Sequence, residues 1–313
     1  MSLRHSLFTF SLSLTLSTVC QAGELAGYKL LVTSVRTGDT EIFVIDPHTG
    51  DAQNLTRRPA SEERYPAWSP DGSKIAFTSN RDGTYNLYAM DSDGNSVRQL
   101  TREKAPAVGY LPCWRGDGKQ IVFGLDRGGE GVMASVAPDG PNLKILGPGR
   151  DPCISPNGKT IAFTQRVGKG FCLFAMDVDG KNLRQLTTHE NEIGAVVPTW
   201  SPDSSKILFS DQVGEALEIF VCDADGRNAK QLSSVGKVSS SAAWSPDMKW
   251  ISFRVTDEAY WHDAAKRDKA YQDKQGDKRP VWVMRADGSN PHIVEVLRYQ
   301  CAIDGSRAAW RPR

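Results

Sequence analysis

The sequence lacks the features that identify the common enzyme and membrane-protein classes. It contains no Gly-x-Ser-x-Gly elbow, no phosphate-binding glycine loop and no His-Glu-x-x-His site. No apolar run approaches the ~20 residues that a membrane helix needs, so we expect no transmembrane segment. Lysine and arginine number 38 against 37 aspartate and glutamate residues. Without a basic block, this balance argues against nucleic acid as a partner.

Cysteine is scarce as well, with 6 residues in the whole chain. Cys20 lies in the N-terminal segment, and the remaining odd, scattered set is not the framework of a disulfide-rich domain. The histidines beyond residue 22 are widely separated in the chain, at His48, His189, His262 and His292. We expect neither a metal nor a cofactor.

Residues 1–22 have the pattern of an export signal. A short basic start is followed by an apolar, hydroxyl-rich run over residues 7–19 and by the small residue Ala22 before Gly23. Cys20 suggests lipidation, but the bulky Val19 precedes it where a small residue would be wanted. We therefore expect a mature chain of residues 23–313 that is periplasmic or secreted.

The dominant feature is a stretch that recurs along the chain, of the form Pro-x-Trp-Ser-Pro-Asp-Gly. Its copies are residues 66–72, 112–118, 152–158, 198–203, 242–247 and 308–312. They recur at intervals of about 40 to 46 residues, except for the last interval, which an insertion lengthens. A period of this size indicates a stacked or circular array of repeats.

Each period contains further short runs rich in β-branched and aromatic residues, separated by Asp-Gly, Asn-Gly and Pro-Asp turns. This pattern predicts four antiparallel strands per period, which is one propeller blade. The first period, residues 28–56, lacks the tryptophan strand, and residues 307–311 supply it at the other end of the chain. The sequence thus predicts an all-β, six-bladed β-propeller over residues 23–313, closed by N- and C-terminal strands that share one blade.

The tryptophans at the equivalent position of these copies, which we call the tryptophan column, are interpreted as packing residues rather than ligand contacts. One copy carries Ile154 at this position instead. The residue before it is small in every copy, which indicates a crowded position near the axis. Cys113 and Cys153 occupy this position on neighbouring blades and are the pair we nominate for a disulfide. The Asp-x-Asp-Gly stretches are interpreted as turns, because no glutamate follows where a calcium loop would need one.

Both families of short turns share one face of the predicted disc, so the variable connections lie on the other. These are residues 57–65, 102–111, 189–197 and 256–279. Variable loops on a rigid scaffold commonly carry function, so we place the binding site on that face and at the channel mouth. The insertion at residues 256–279 is rich in helix formers and is predicted to be either a lid or docking helix, or a solvated surface helix.

Charged and aromatic side chains on that face form the candidate ligand-binding set. They are Arg36, Arg81, Arg127, Arg166, Arg254, Tyr65, Tyr110, His189, Trp261 and His262. A ring of arginines suits a carboxylate-bearing ligand. In the alternative interpretation, each arginine pairs with a carbonyl or carboxylate of its own or the neighbouring blade. No catalytic residue is predicted.

The copies of Pro-x-Trp-Ser-Pro-Asp-Gly, Ile-Ala-Phe and Arg-Gln-Leu-Thr resemble the repeats of the TolB-type β-propellers, relatives of the WD-type propellers. The resemblance covers nearly all of residues 28–312, with no counterpart expected for the smaller N-terminal α/β domain of TolB. It implies an exported propeller and leaves the activity open, since related scaffolds carry peptidases and oligogalacturonate lyases. We predict a monomeric binding or scaffold protein for an envelope protein or a cell-wall or carbohydrate ligand. The alternative is a carbohydrate lyase or hydrolase with its site at the channel mouth.

Overall fold

The computed structural model describes residues 23–105, 107–188, 194–256, 280–294 and 307–312. Its strands are β1 (Leu30–Ser34), β2 (Glu41–Ile45), β3 (Ala52–Asn54), β4 (Glu63–Trp68), β5 (Lys74–Ser79), β6 (Asn86–Asp91), β7 (Arg98–Gln99), β8 (Ala107–Trp114), β9 (Ile121–Arg127), β10 (Gly131–Ala137), β11 (Gly140–Pro148), β12 (Arg150–Ile154), β13 (Thr160–Val167), β14 (Gly170–Asp177), β15 (Arg184–Gln185), β16 (Val196–Trp200), β17 (Lys206–Val213), β18 (Ala216–Asp223), β19 (Lys230–Gln231), β20 (Val238–Trp244), β21 (Trp250–Thr256), β22 (Val281–Arg285), β23 (His292–Ile293) and β24 (Ala309–Trp310).

These strands form four-stranded antiparallel units. Unit 1 has the order β24-β1-β2-β3, and units 2, 3 and 4 are β4–β7, β8–β11 and β12–β15. Units 5 and 6 are β16–β19 and β20–β23, which one parallel pair, Leu217 with Val238, joins into a larger sheet. The C-terminal run predicted to complete the first sheet does pair with β1, through Leu30 with Trp310 and Leu31 with Ala309.

The hydrophobic core is a series of layers between consecutive units. One layer packs Ala76 and Leu87 of unit 2 against Trp114 and Phe123 of unit 3. Similar clusters lie between units 1 and 2, 3 and 4, 4 and 5, and 5 and 6. A further cluster packs unit 6 against unit 1. The second and third strands are therefore apolar on both faces, which explains their continuous runs such as Ile-Ala-Phe.

The first strand of units 2 to 6 contains a β-bulge that the sequence pattern does not reveal. The ladder with the second strand shifts register just before the tryptophan, and the residue there has a left-handed φ. These residues are Tyr65 at 52°, Leu111 at 48°, Asp151 at 50°, Val197 at 55° and Ser241 at 57°. The bulge interrupts the alternation of apolar and polar residues, so parts of three predicted connections, residues 63–65, 107–111 and 196–197, are strand.

The predicted helical insertion, residues 256–279, lies outside the described residues except for Thr256, which ends β21. No helix in the described part of the chain is long and apolar enough to cross a membrane.

Candidate functional site

The Ser-Pro-Asp-Gly stretches are turns in which serine and aspartate bind each other. Ser69 Oγ donates to Asp71 Oδ1 over 2.6 Å, and the Lys74 amide donates to Ser69 Oγ over 2.8 Å. The Ser201–Asp203 and Ser245–Asp247 pairs repeat the contact. The hydrogen bond from Ser69 lowers the pKa of Asp71 to about 2. These residues therefore form the turn, and the carboxylate that the serine contacts is only a weak base because its pKa is low.

We call the face that carries these turns the turn face, and the face with the variable connections the loop face. On the turn face is a cavity of about 520 Å³, which we call the central cavity and to which units 1 to 6 all contribute lining residues. Its lining is Ala67, Trp68, Pro70, Pro112, Cys113, Trp114, Gly116, Cys153, Pro156, Thr199, Trp200, Pro202, Ala243, Trp244, Pro246, Asp247, Arg307, Ala309, Trp310 and Pro312. Indoles, prolines and small side chains thus make a largely apolar wall, typical of a ligand pocket.

The indoles that line this cavity also connect neighbouring units. Trp114 Nε1 donates to the Ala67 carbonyl of unit 2 over 3.1 Å, and Trp200 Nε1 donates to the Cys153 carbonyl of unit 4 over 2.9 Å. Trp310 Nε1 donates to the Ala243 carbonyl over 3.2 Å. Trp68 and Trp244 have no hydrogen-bond partner for Nε1 among the described residues. The wall of the cavity is therefore fixed by contacts between units.

Arg307 brings a cation into this apolar wall. Its Nη2 donates to the Pro198 carbonyl over 3.0 Å, so the side chain of unit 1 reaches the first strand of unit 5. In the described part of the chain, Arg307 Nε and Thr199 Oγ1 are buried without a hydrogen-bond partner. A buried donor without a partner costs about 1 to 3 kcal/mol, so both groups favour a ligand that carries an acceptor.

Asp151 balances the charge of Arg307. Burial raises the pKa of Asp151, and the Arg307 guanidinium together with a hydrogen bond from Thr164 over 3.2 Å opposes that rise. The hydroxyl of the half-buried Tyr110 is enclosed nearby, and desolvation raises the pKa of this phenol. Its hydroxyl has no hydrogen-bond partner among the described residues. Arg307 was missed in the sequence analysis, although the variable position three residues before the tryptophan column was a usable signal.

The predicted arginines mostly contact their own unit. Arg81 forms an ion pair with Glu63 over 2.8 Å and stacks on Tyr88. Arg127 pairs with Glu103 over 3.1 Å, and Arg36 lies over the Phe43 ring. These contacts match the alternative in which the arginines pair locally.

Of the other predicted site residues, Tyr65 and Tyr110 interact electrostatically, and the two arginines have separate surroundings. Arg166 Nε donates to the Gly168 carbonyl over 3.4 Å, and Arg254 is buried within β21. Tyr65 lies at the bulge of β4, and Tyr110 at that of β8. His189, Trp261 and His262 lie outside the described residues.

Among the described residues, no three side chains of His, Cys, Asp or Glu are grouped as metal ligands. His48 lies in the turn after β2 and His292 in the outer strand of unit 6, so these two do not converge. The Asp-x-Asp-Gly stretches form turns, in which the Asp91 amide donates to the Asn95 carbonyl over 2.9 Å.

Comparison with known proteins identifies the repeats. The Tol-Pal system protein TolB of Anaeromyxobacter dehalogenans is 34% identical over 89 residues, which is 28% of this chain and 19% of the relative. The chain therefore matches about a fifth of the length of that relative.

Two solved structures share the fold at low identity. TolB from Acinetobacter baumannii superposes with a TM-score of 0.67 at 19% identity, covering 91% of this chain and 66% of that one. An oligogalacturonate lyase from Vibrio parahaemolyticus gives a TM-score of 0.57 at 14% identity, covering 85% and 74%. The model of the TolB beta propeller domain matches residues 24–196, more than half of the chain. With its four-stranded units and its tryptophan turns, this chain belongs to the TolB beta-propeller domain family.

Proposed function

We propose that the protein is an exported six-bladed propeller that binds an envelope protein by admitting an extended apolar segment into the central cavity. The observation that supports this most is the cavity itself, with its indole and proline wall and with Arg307 beside it. Apolar walls with a few polar groups favour binding of a segment whose backbone carbonyls or carboxylates meet those groups.

The proposal of a closed ring rests on one contact between the two chain ends in unit 1 and one contact between units 1 and 6. Tyr28 packs edge-on against Trp310, with ring centroids 5.1 Å apart, and its hydroxyl donates to Asp247 of unit 6 over 2.6 Å. A closed ring leaves no unpaired sheet edge at the junction of the chain ends. It also holds the cavity wall rigid, so the partner binds a preformed site.

The chemistry of the cavity limits what segment can enter it. Arg307 and Asp151 interact electrostatically, so the part of the central cavity near Arg307 is not a strong anion site. Arg307 Nε and Thr199 Oγ1 still offer donors, while the proline rim excludes highly hydrated groups. A short apolar stretch that places one carbonyl or carboxylate near Arg307 fits this arrangement.

Export, the monomeric state and the loop-face site are parts of the same proposal. The signal pattern of residues 1–22 supports export. The loop face would present a second surface to an envelope protein or a carbohydrate. The carbohydrate-active enzyme stays an alternative, because the similarity to the lyase concerns the fold alone.

Site-specific photo-crosslinking in cells distinguishes the two faces. A benzophenone side chain is placed at Pro202 on the cavity rim, at Arg102 on the loop face, or at Lys181, whose side chain is 78% exposed at the edge of unit 4. We expect crosslinks to one envelope protein from Pro202 and none from Lys181. Crosslinks from Arg102 alone would move the site to the loop face. Equal labelling from all three positions, or none, would contradict a defined binding site.

A further inference from the structure

The contact between units 3 and 4 is the one between described first strands that has no tryptophan. Unit 4 carries Ile154 where other units carry tryptophan, so no indole donates to the carbonyl of Cys113. The same carbonyl position accepts an indole hydrogen bond in Ala67, Cys153 and Ala243. This junction therefore lacks a polar link that three of its counterparts have.

A pair of thiols lies at this junction instead. The sulfur atoms of Cys113 and Cys153 are 2.9 Å apart, and both residues line the central cavity. Both cysteines are free thiols in this structure. They occupy equivalent positions on adjacent first strands, so a small side-chain rotation brings the sulfurs to the ~2.05 Å of a disulfide.

The backbones of the two units also approach closely here. Gly116 replaces the proline of the turn, and a Cβ at this position would lie 1.7 Å from the Pro156 carbonyl oxygen. The other described cysteines, Cys172 and Cys222, are each 1% exposed within β14 and β18. Within the described chain, Cys113 and Cys153 are the two cysteine thiols that both meet each other and face a cavity.

The surroundings of the pair favour a thiolate. The hydrogen bond from Cys113 lowers the pKa of Cys153 to about 7, with a further contribution from the Arg307 guanidinium. The same hydrogen bond raises the pKa of Cys113, which loses its proton after Cys153. A thiolate is the species that attacks a disulfide, so this environment assists exchange.

We propose that Cys113 and Cys153 form a thiol–disulfide site that closes into a disulfide and covalently links units 3 and 4. The oxidant is an external disulfide, either a low-molecular-weight compound or the dithiol site of a protein oxidant. The Cys153 thiolate attacks one sulfur of that disulfide and releases its first thiolate. Cys113, deprotonated in turn, attacks Cys153 Sγ and releases the second. Two cysteine thiols are thereby oxidised and one external disulfide is reduced, and the two protons of the cysteines pass to the released thiolates, which become thiols.

The mature protein, purified reduced, is incubated with oxidised glutathione, and free thiols are then blocked in denaturant. We expect peptide mapping to find the peptides of Cys113 and Cys153 joined and lighter by two hydrogen atoms than their sum. Cys172 and Cys222 serve as internal controls and should be alkylated. Stable glutathione adducts, a link to another cysteine, or complete alkylation of both residues would overturn the proposal.

Thermal unfolding supplies a measurement that does not depend on mapping. Linking positions 40 residues apart restricts the unfolded chain, so reductant should lower the melting temperature of the oxidised protein by about 5 to 10 °C. Cys153→Ser, at the buried member of the pair, should show the same melting temperature with and without reductant. If reductant also leaves the melting temperature of the oxidised wild type unchanged, the proposed link is contradicted.

Discussion

At the scale of single residues, the tryptophan column combines packing with a hydrogen bond between units. The indoles of Trp200 and Trp244 are 5% and 8% exposed, so the two are nearly equally buried. They differ in that Trp200 Nε1 reaches the Cys153 carbonyl, whereas Trp244 Nε1 has no partner among the described residues. Trp200 and Trp244 therefore allow a buried indole that forms the hydrogen bond between units to be compared with one that does not.

Trp200→Phe should therefore cost more stability than Trp244→Phe. Both lose indole packing, but the first also loses the hydrogen bond to the Cys153 carbonyl, which adds about 0.5 to 1.5 kcal/mol. Urea unfolding of the two variants at constant m-value measures the difference in free energy of unfolding. Equal losses would show that the hydrogen bond contributes nothing beyond the packing.

The turn aspartates make stability depend on pH. The folded pKa of Asp71, about 2, is below the ordinary value near 3.9, so its contribution is present above pH ~4 and is lost as the pH falls toward 2. Asp71→Asn should flatten the dependence of the unfolding midpoint on pH in that window. Asn157 occupies the same turn position in unit 4 and accepts from Ser155, so asparagine fits the turn. An unchanged slope would assign the pH dependence to other groups.

At the scale of strands and turns, glycines of the Asp-x-Asp-Gly turns form contacts between units. A Cβ at Gly94 would lie 2.3 Å from the Leu55 carbonyl oxygen of unit 1. Gly226 and Gly288 approach the carbonyls of Leu186 and Leu232 in the same way. Gly180 has an equivalent φ of 86° but open space around it. The third-to-fourth turns of units 2, 5 and 6 therefore dock on the leucine that ends the preceding unit.

Gly94→Ala and Gly180→Ala separate backbone strain from this contact. Both introduce a side chain at a left-handed φ, which costs about 1 to 2 kcal/mol. Gly94→Ala also forces two units apart, and overpacking adds about 1 to 3 kcal/mol. Chemical denaturation should show the larger loss for Gly94→Ala. If the two losses are equal, the units move apart without cost.

The threonine or serine that follows Gln-Leu at the end of several units also has a structural role. Thr101 Oγ1 accepts from the Leu87 amide over 2.9 Å and donates to Asn86 Oδ1 over 2.8 Å. Thr187 and Ser233 accept from the amides of Leu173 and Ile219 over 2.9 Å and 2.8 Å. The fourth strand is only two residues long in these units, so the hydroxyl extends the pairing beyond it.

Strands and turns could be predicted because each repeats several times, so a weak local pattern is reinforced by its copies. The central cavity could not, because the sequence presents its repeated tryptophan, proline and small residues only as packing and turn positions, and the cation Arg307 beside them does not repeat. Arg307 stands where other units have Tyr65, Leu111 or Asp151, and only the fold shows that it reaches Pro198. The local pairing of Arg81 depends on Glu63, which a bulge places on the same side of the sheet.

At the scale of the whole molecule, the proposed ring depends on the short strand β24. Deleting residues 307–313 removes the partner of β1 and the Trp310 contacts to Tyr28 and Ala243. We expect a fall in melting temperature well beyond that of a chain ending at residue 311, which keeps β24. A melting temperature that is unchanged by the longer deletion would contradict closure through the chain ends.

The same pairing determines when the protein can finish folding. Because β1 pairs with Trp310, unit 1 stays open until residue 310 has been synthesised. An open sheet edge is a site for incorrect pairing. The order of synthesis therefore makes the pairing of β1 with β24 a late step, and the edge of β1 needs protection from other strands until then.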